Sequence, residues 1–189
     1  SMQTRIAAGR VYSYSHTIGS WRAEGTDGFH LPVDIALDKN QNIYVLSRGS
    51  EYMGMPRVTV CTTGNGARQD EEFLFEFGSA GEGDGQFIWP SGIALDNGEN
   101  VYVSDEWLHR VSIFDRKGKF LTKWGKQGNA AGELSAPSGL TFDLVGNIYV
   151  SDAQNNRIQK FTPDGEFLLK WGRQGDGHDE LSQPWGLTV

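Results

Sequence analysis

The chain is 189 residues long, 38% hydrophobic and 12% aromatic, with 25 glycines, one cysteine and a formal net charge of −7. Such a chain is too apolar for disorder, has no apolar stretch long enough to span a bilayer as a helix, and has too few cysteines for an intramolecular disulfide framework. The acidic balance gives no global attraction to polyphosphate, which argues against a nucleic-acid partner. The local basic groups at 116–119 and 123–126 read as solvated turn and edge-strand charges.

Residues 11–19 alternate as a strand should and end in Ile18-Gly19, where later segments end in Phe77-Gly78, Trp124-Gly125 and Trp171-Gly172. They predict an isolated N-terminal strand. At Pro32 the first copy of a recurring phrase begins: Pro32-Val-Asp-Ile-Ala-Leu-Asp38, then Pro90-Ser-Gly-Ile-Ala-Leu-Asp96, Pro137-Ser-Gly-Leu-Thr-Phe-Asp143 and Pro184-Trp-Gly-Leu-Thr-Val189. Pro90, Pro137 and Pro184 are spaced 47 residues apart, as are Trp124 and Trp171, whereas Pro32 and Pro90 are 58 apart. A constant period of that length indicates a propeller or solenoid, and the 11 extra residues of the first repeat belong in loops.

Each period carries four strand signals. The Pro phrase gives strand a. The runs Asn42-Ile-Tyr-Val45, Asn100-Val-Tyr-Val-Ser-Asp105 and Asn147-Ile-Tyr-Val-Ser-Asp152 give strand b behind Asp- and Asn-containing turns. Strand c follows at Arg110-Val-Ser-Ile-Phe114 and Arg157-Ile-Gln-Lys-Phe161, and strand d at Lys119-Phe-Leu-Thr-Lys-Trp124 and Glu166-Phe-Leu-Leu-Lys-Trp171. Four short antiparallel strands make one propeller blade. The predicted fold is therefore an all-β propeller in a single domain over 1–189. Its parts are the strand at 11–19, blade one at 32–78, blade two at 90–125, blade three at 137–172 and the start of a fourth blade at 184–189. A six-bladed ring at this period needs about 280 residues, so the sequence predicts an incomplete six-bladed propeller, truncated at its C-terminus, and either a natural chain that continues past 189 or self-association through the open ends.

Read from 137 to 168, the residues Pro-Ser-Gly-Leu-Thr-Phe-Asp, Gly-Asn-Ile-Tyr-Val-Ser-Asp-Ala-Gln-Asn-Asn-Arg-Ile-Gln-Lys-Phe and Asp-Gly-Glu-Phe-Leu resemble the NHL repeat of bacterial-type NHL proteins. The resemblance runs over 32–189 and implies a propeller, but the fold hosts many activities. Peptide-amidating lyases, which resemble this family, place metal-binding His just after the Pro of the inner strand. The matching positions here are Val33, Ser91, Ser138 and Trp185, none an imidazole, and His16, His30, His109 and His178 show no ligand spacing.

Function is expected in the loops of one face, at 79–89, 126–136 and 173–183 between blades and at 46–56, 104–109 and 151–156 within them. Blade one has Ser47 where the others have Asp105 and Asp152, and a longer loop after it with Arg48, Glu51 and Tyr52 as ligand contacts. Blade two offers Glu106, Trp107 and His109, with Trp107 standing where blade three has Asn155. Trp89 and Trp185, beside the Pro of the inner strands, are expected with Glu106, Trp107 and His109 to contact a ligand at the top face and funnel. Asp105 and Asp152 read as braces of their own loops, Arg110 and Arg157 as partners of neighbouring carboxylates, Trp124 and Trp171 as core, and Cys61 as a partly buried structural thiol. The Gly-rich acidic stretches 81–85 and 175–180 predict connectors that use Gly for positive φ, with Ca²⁺ as the competing reading.

These residues predict a non-catalytic scaffold that binds a protein, peptide or glycan through top-face loops and funnel, with no catalytic residue and no protein-bound metal. The alternative is a metal-dependent lyase or lactone hydrolase whose channel site is completed by further blades. Ser1-Met2 reads as an added Ser ahead of a start Met with no signal peptide behind it. Compartment is left open between the cytoplasm and export with a signal removed.

Overall fold

The computed structural model describes residues 4–7, 10–13, 29–49, 54–64 and 72–189. The first two strands, β1 (Thr4–Ala7) and β2 (Arg10–Ser13), form an antiparallel hairpin. The isolated strand expected over 11–19 thus overlaps a strand with a partner of its own, and 14–19 lie outside the described residues.

Three four-stranded antiparallel sheets follow. Blade one is β3 (Pro32–Leu37), β4 (Ile43–Ser47), β5 (Arg57–Cys61) and β6 (Phe73–Phe77). A short parallel pair, β7 (Ser79–Ala80) and β8 (Gln86–Phe87), folds the connector to blade two. Blade two is β9 (Pro90–Leu95), β10 (Val101–Asp105), β11 (Arg110–Phe114) and β12 (Phe120–Trp124). Blade three is β13 (Pro137–Phe142), β14 (Ile148–Asp152), β15 (Arg157–Phe161) and β16 (Phe167–Trp171). Among the described residues the one helical segment is the single 3₁₀ turn Ala153–Asn155.

The hairpins repeat because their turn chemistry repeats. Asp38 Oδ1 accepts from the amides of Asn40 and Asn42 while Asn42 Nδ2 donates to Oδ2, and Asp96 with Asn100 and Asp143 with Asn147 reproduce the same arrangement. An Asp side chain that captures amides two and four residues on closes the a-b turn without help from the rest of the fold. At the c-d turns Asp115 and Thr162 perform this task, and in blade one Thr62 still bonds to Glu72 across the inserted residues. The insertion therefore leaves the strand register intact; 65–71 lie outside the described residues.

The core lies between blades. Strands b and c are buried along nearly their whole length. Leu46, Val58, Val60 and Phe77 of blade one pack with Val101, Val103 and Phe114 of blade two, and Val111 and Ile113 pack with Val150 and Phe161 of blade three. Each such side chain contributes about 1.5–3 kcal/mol on leaving water. The last residue of strand d docks each blade on the next. Phe77 lies 4.9 Å from the Phe114 ring, and Trp124 lies 4.9 Å from Phe161 while donating from Nε1 to the Pro163 carbonyl at 3.1 Å. Gly118 and Gly165, at φ +82° and +87°, have no side chain because a Cβ there would strike these rings. Trp171 occupies the same position in blade three, but it is 44% exposed and touches Tyr149 of its own blade. The expectation that it is core fails, because no following c-d turn is present among the described residues to receive it.

Inner strands are tied by the hydroxyls of the Pro phrase. Ser91 Oγ donates to the Pro137 carbonyl and Ser138 Oγ to that of Pro184, both at 3.0 Å. Gly92 and Gly139 mark the closest approach, since a Cβ would collide with Ser138 O and Trp185 O. Blade one carries Asp34 there instead; its Oδ2 accepts from Ile93 N at 2.9 Å, and burial pushes the carboxyl up from its ordinary range. The fourth phrase forms no strand over 185–189, contrary to expectation. It lies against β13 through Gly139 N donating to Trp185 O at 2.8 Å, and offers no partner strand b to complete a ladder.

Candidate functional site

The loops between blades and the b-c loops meet at one end of the strands, as their order predicts. Arg48 N donates to Leu31 O, Glu106 N to Trp89 O, and Gln154 N to Ser135 O. At this end the structure gathers Arg48, Trp89, Glu106, Trp107, His109 and Trp185. Glu51 and Tyr52 lie outside the described residues.

Asp105 places most of that group. Its Oδ2 accepts from Ile88 N at 2.8 Å and its Oδ1 from Trp107 N at 3.1 Å and Leu108 N at 3.0 Å, while Trp89 N reaches both oxygens. One carboxylate thus sets the backbone of both loops that carry tryptophan. The register explains why Trp89 is included. In the other blades the amide before the Pro phrase bonds to the preceding blade: Ala136 N donates to His109 Nδ1 at 3.1 Å, and Gln183 N to Asn156 Oδ1 at 2.9 Å. Blade one has Pro56 at that position, which offers no side-chain acceptor, so Trp89 N turns to Asp105. Leu31, Ala136 and Gln183 stand at φ +52°, +50° and +46°, and Trp89 alone of the four is not left-handed.

Arg48 crosses between blades to reach this loop. Its Nη2 pairs with Glu106 Oε1 at 2.8 Å and its Nε donates to Pro90 O at 3.1 Å. The guanidinium carbon lies 4.8 Å from the Trp89 ring centroid and 5.9 Å from that of Trp185. A guanidinium within cation-π reach of two indoles, with a carboxylate on its fork, is held by both kinds of contact. Burial pushes the Glu106 carboxyl up from its ordinary range, and Arg48 partly offsets this.

Two cavities adjoin across Trp89. One, of about 590 Å³, is lined by Trp89, Glu106, Trp107, His109, Gln127 and Gln154, with Ala136 at its floor. The other, about 1040 Å³, lies between blades one and two and is mainly apolar, with Leu31, Pro32, Val33, Met55, Phe87 and Ile88 in its wall beside Arg48 and Trp89. Trp107 is 66% exposed, Trp185 52% and Trp89 47%. The strand pairing aligns Asp105 with Asp152 and Arg110 with Arg157, so the counterpart of Trp107 is Gln154, not Asn155, and that of His109 is Asn156. His109 is therefore held through Nδ1, which leaves Nε2 as a hydrogen-bond donor in the residue that lines this cavity.

The acidic Gly-rich connectors are organised by arginine. Arg110 donates to the carbonyls of Glu82, Gly83 and Gln86, and Arg157 to those of Asn129, Ala130 and Glu133. Within 81–85 the carbonyls of Glu82 and Gly83 are thereby engaged, and the Asp84 carboxylate pairs with Lys123 Nζ at 2.9 Å. In 175–180, Glu180 caps Gly177 N and pairs with Arg173. At the amidating-lyase positions, the hydroxyls of Ser91 and Ser138 are buried against neighbouring strands, so these residues do not fit a channel metal. No cluster of three or more His, Cys, Asp or Glu is arranged to hold a metal among the described residues.

Comparison with known proteins agrees with the geometry. A family model described as a 6-bladed β-propeller, DUF5128, matches residues 93–162. Among solved structures, hydrazine synthase of Kuenenia stuttgartiensis is 16% identical over 84% of this chain and 38% of its own, with a TM-score of 0.57. Virginiamycin B lyase of Staphylococcus aureus is 14% identical over 98% of this chain and 52% of its own, and a chain of a nidogen/laminin complex is 18% identical over 98% and 60%, both with TM-scores of 0.58. These likenesses define a β-propeller, and this chain spans between 38% and 60% of the matched chains. No curated protein matches the sequence. Among the described residues no helix is long and apolar enough to cross a membrane.

Proposed function

We propose that the chain is an NHL-type propeller acting as a non-catalytic scaffold, which binds a protein, peptide or glycan on the face that carries Trp89, Trp107 and Trp185. The observation behind this reading is that Arg48, Glu106, Trp107 and His109 line two cavities that share Trp89 as a common wall, with Trp185 of the fourth Pro phrase 5.9 Å from the Arg48 guanidinium. Exposed indoles on a braced loop present large contact area at low entropic cost, as binding surfaces require. The polar groups nearby are engaged in bracing. Arg48 is held by Glu106, and His109 Nδ1 by Ala136 N, so neither forms part of a nucleophile-base pair.

The test is selection of binders from displayed peptides and arrayed glycans, followed by titration of Trp107→Ala and Trp89→Ala. A binder that both substitutions weaken agrees with the proposal. Binders indifferent to both, or metal-dependent turnover of a lactone or peptide substrate, would overturn it.

A further inference from the structure

The two cavities differ in chemistry. The larger one is an apolar cleft partly walled by the blade-one loop. The smaller one combines two indole faces with an unusual set of uncharged hydrogen-bonding groups: the amides of Gln127 and Gln154 and the Nε2–H of His109. Gln154 Oε1 accepts from Ser135 Oγ at 2.9 Å, which fixes the amide so that its NH₂ is left to donate.

Charge narrows the ligand. Glu106 is the single formally charged side chain in this wall, and its Oε1 is already paired with Arg48 at 2.8 Å. The ion pair cancels its charge toward a ligand. An anion would find no unpaired cation in the wall, and a ligand cation would have to displace a guanidinium that is stacked on Trp89 and also bonded to Pro90 O. What the wall accepts without breaking anything is a neutral molecule with one flat apolar face and a rim of donors and acceptors. A pyranose ring has that form: its C–H face lies on an indole, while its hydroxyls exchange hydrogen bonds with planar amides and an imidazole N–H. A cavity of about 590 Å³ falls inside the roughly 300–1,000 Å³ range of small-molecule sites.

Building on the binding-scaffold reading, we infer that the groove between Trp89 and Trp107 is a subsite for a neutral saccharide. Trp107 is the stacking platform. Gln127, Gln154 and His109 Nε2 supply the hydroxyl partners. Trp89 and the Arg48–Glu106 pair form a rigid back wall that keeps charged ligands out.

The experiment is calorimetric titration of the full chain with neutral gluco-, xylo- and N-acetylated chito-oligosaccharides, with a uronic-acid oligosaccharide and an arginine-rich peptide as charged counterparts. The expected result is saturable binding of a neutral saccharide, weakened about tenfold or more by Trp107→Ala, equivalent to about 1.4 kcal/mol. Trp171→Ala, on the outer strand of blade three, should leave it unchanged. Gln154→Ala, on an exposed side chain, supplies a second variant whose folding is not in question and should weaken binding as well. If no neutral saccharide binds but a peptide does so in a Trp107-dependent way, the ligand class is wrong and the scaffold reading stands. If no ligand depends on Trp107, both fail.

Discussion

Blades two and three use the same strand pattern and the same Asp–Arg pair to opposite ends. In blade three, Asp152 Oδ2 accepts from Arg157 Nε at 2.7 Å, Gln159 Nε2 at 3.0 Å and Asn155 Nδ2 at 2.9 Å, and Gln159 also bonds to Glu133 O and Gly132 N. The carboxylate is fully engaged with its own blade and connector. In blade two, Asp105 bonds to loop amides at 88, 89, 107 and 108, while Arg110 Nε has no partner. Ser112 stands where blade three has Gln159, and its buried hydroxyl is unsatisfied as well. Two exchanges, Gln159 to Ser112 and Asn155 to Leu108, remove from blade two the amides that bond to the carboxylate in blade three, and its Asp holds the loops that carry Trp89 and Trp107. Blade two leaves Arg110 Nε and Ser112 Oγ without partners, against Ser151 Oγ in blade three and Ser47 Oγ in blade one, and it is blade two that carries Trp107 and His109 of the candidate site.

Substitutions sharpen this contrast in descending order. Asp152→Ala leaves a buried guanidinium and a buried amide without their acceptor, and should lower the unfolding free energy by about 3–5 kcal/mol in urea titration. Asp105→Ala frees amides on a loop that water can reach, so about 1–2 kcal/mol is expected, together with loss of top-face binding. Equal losses at the two positions would break the comparison. Next, Ser112→Gln supplies blade two with the missing amide and should raise stability by about 1 kcal/mol, with Gln159→Ser lowering it by a similar amount. A destabilising Ser112→Gln would mean that the gap is too small for the side chain.

The smallest effect is electrostatic. Lys160 Nζ lies 2.9 Å from Asp143 Oδ2 and, with the Asn147 hydrogen bonds, holds that carboxyl down to about 2. Blade two has Ile113 at the lysine's position. A carboxyl depressed in the folded state contributes stability that is full above the ordinary carboxylate range, near about 4, and is lost as pH falls toward 2. Asp143→Asn should therefore flatten this part of the acid limb in thermal melts taken across that window.

Much of this was legible in the sequence, and the reason is repetition. The strand order, the two loop faces and the bracing role of Asp105 and Asp152 follow from residues that recur at one period. Single departures from the repeat were harder to read. Trp89 reads from the sequence as a ligand contact, while the bond of its amide to Asp105 goes with Pro56, in a different blade, where the other repeats have an acceptor side chain. His109 looked like a free hydrogen-bonding group until its alignment with Asn156 showed a shared bond to the following connector. Trp171 repeated the position of Trp124 and not its environment, because burial in a propeller is decided by the next blade.

The central claim is that ligand binds where the loops braced by Asp105 meet. Amide hydrogen exchange of the chain with and without a selected saccharide or peptide tests it most directly. The account predicts added protection at 88–89, 105–109 and 153–155. Protection confined to the a-b turns at 38–42 and 96–100, or to the outer strand at 167–171, would contradict it.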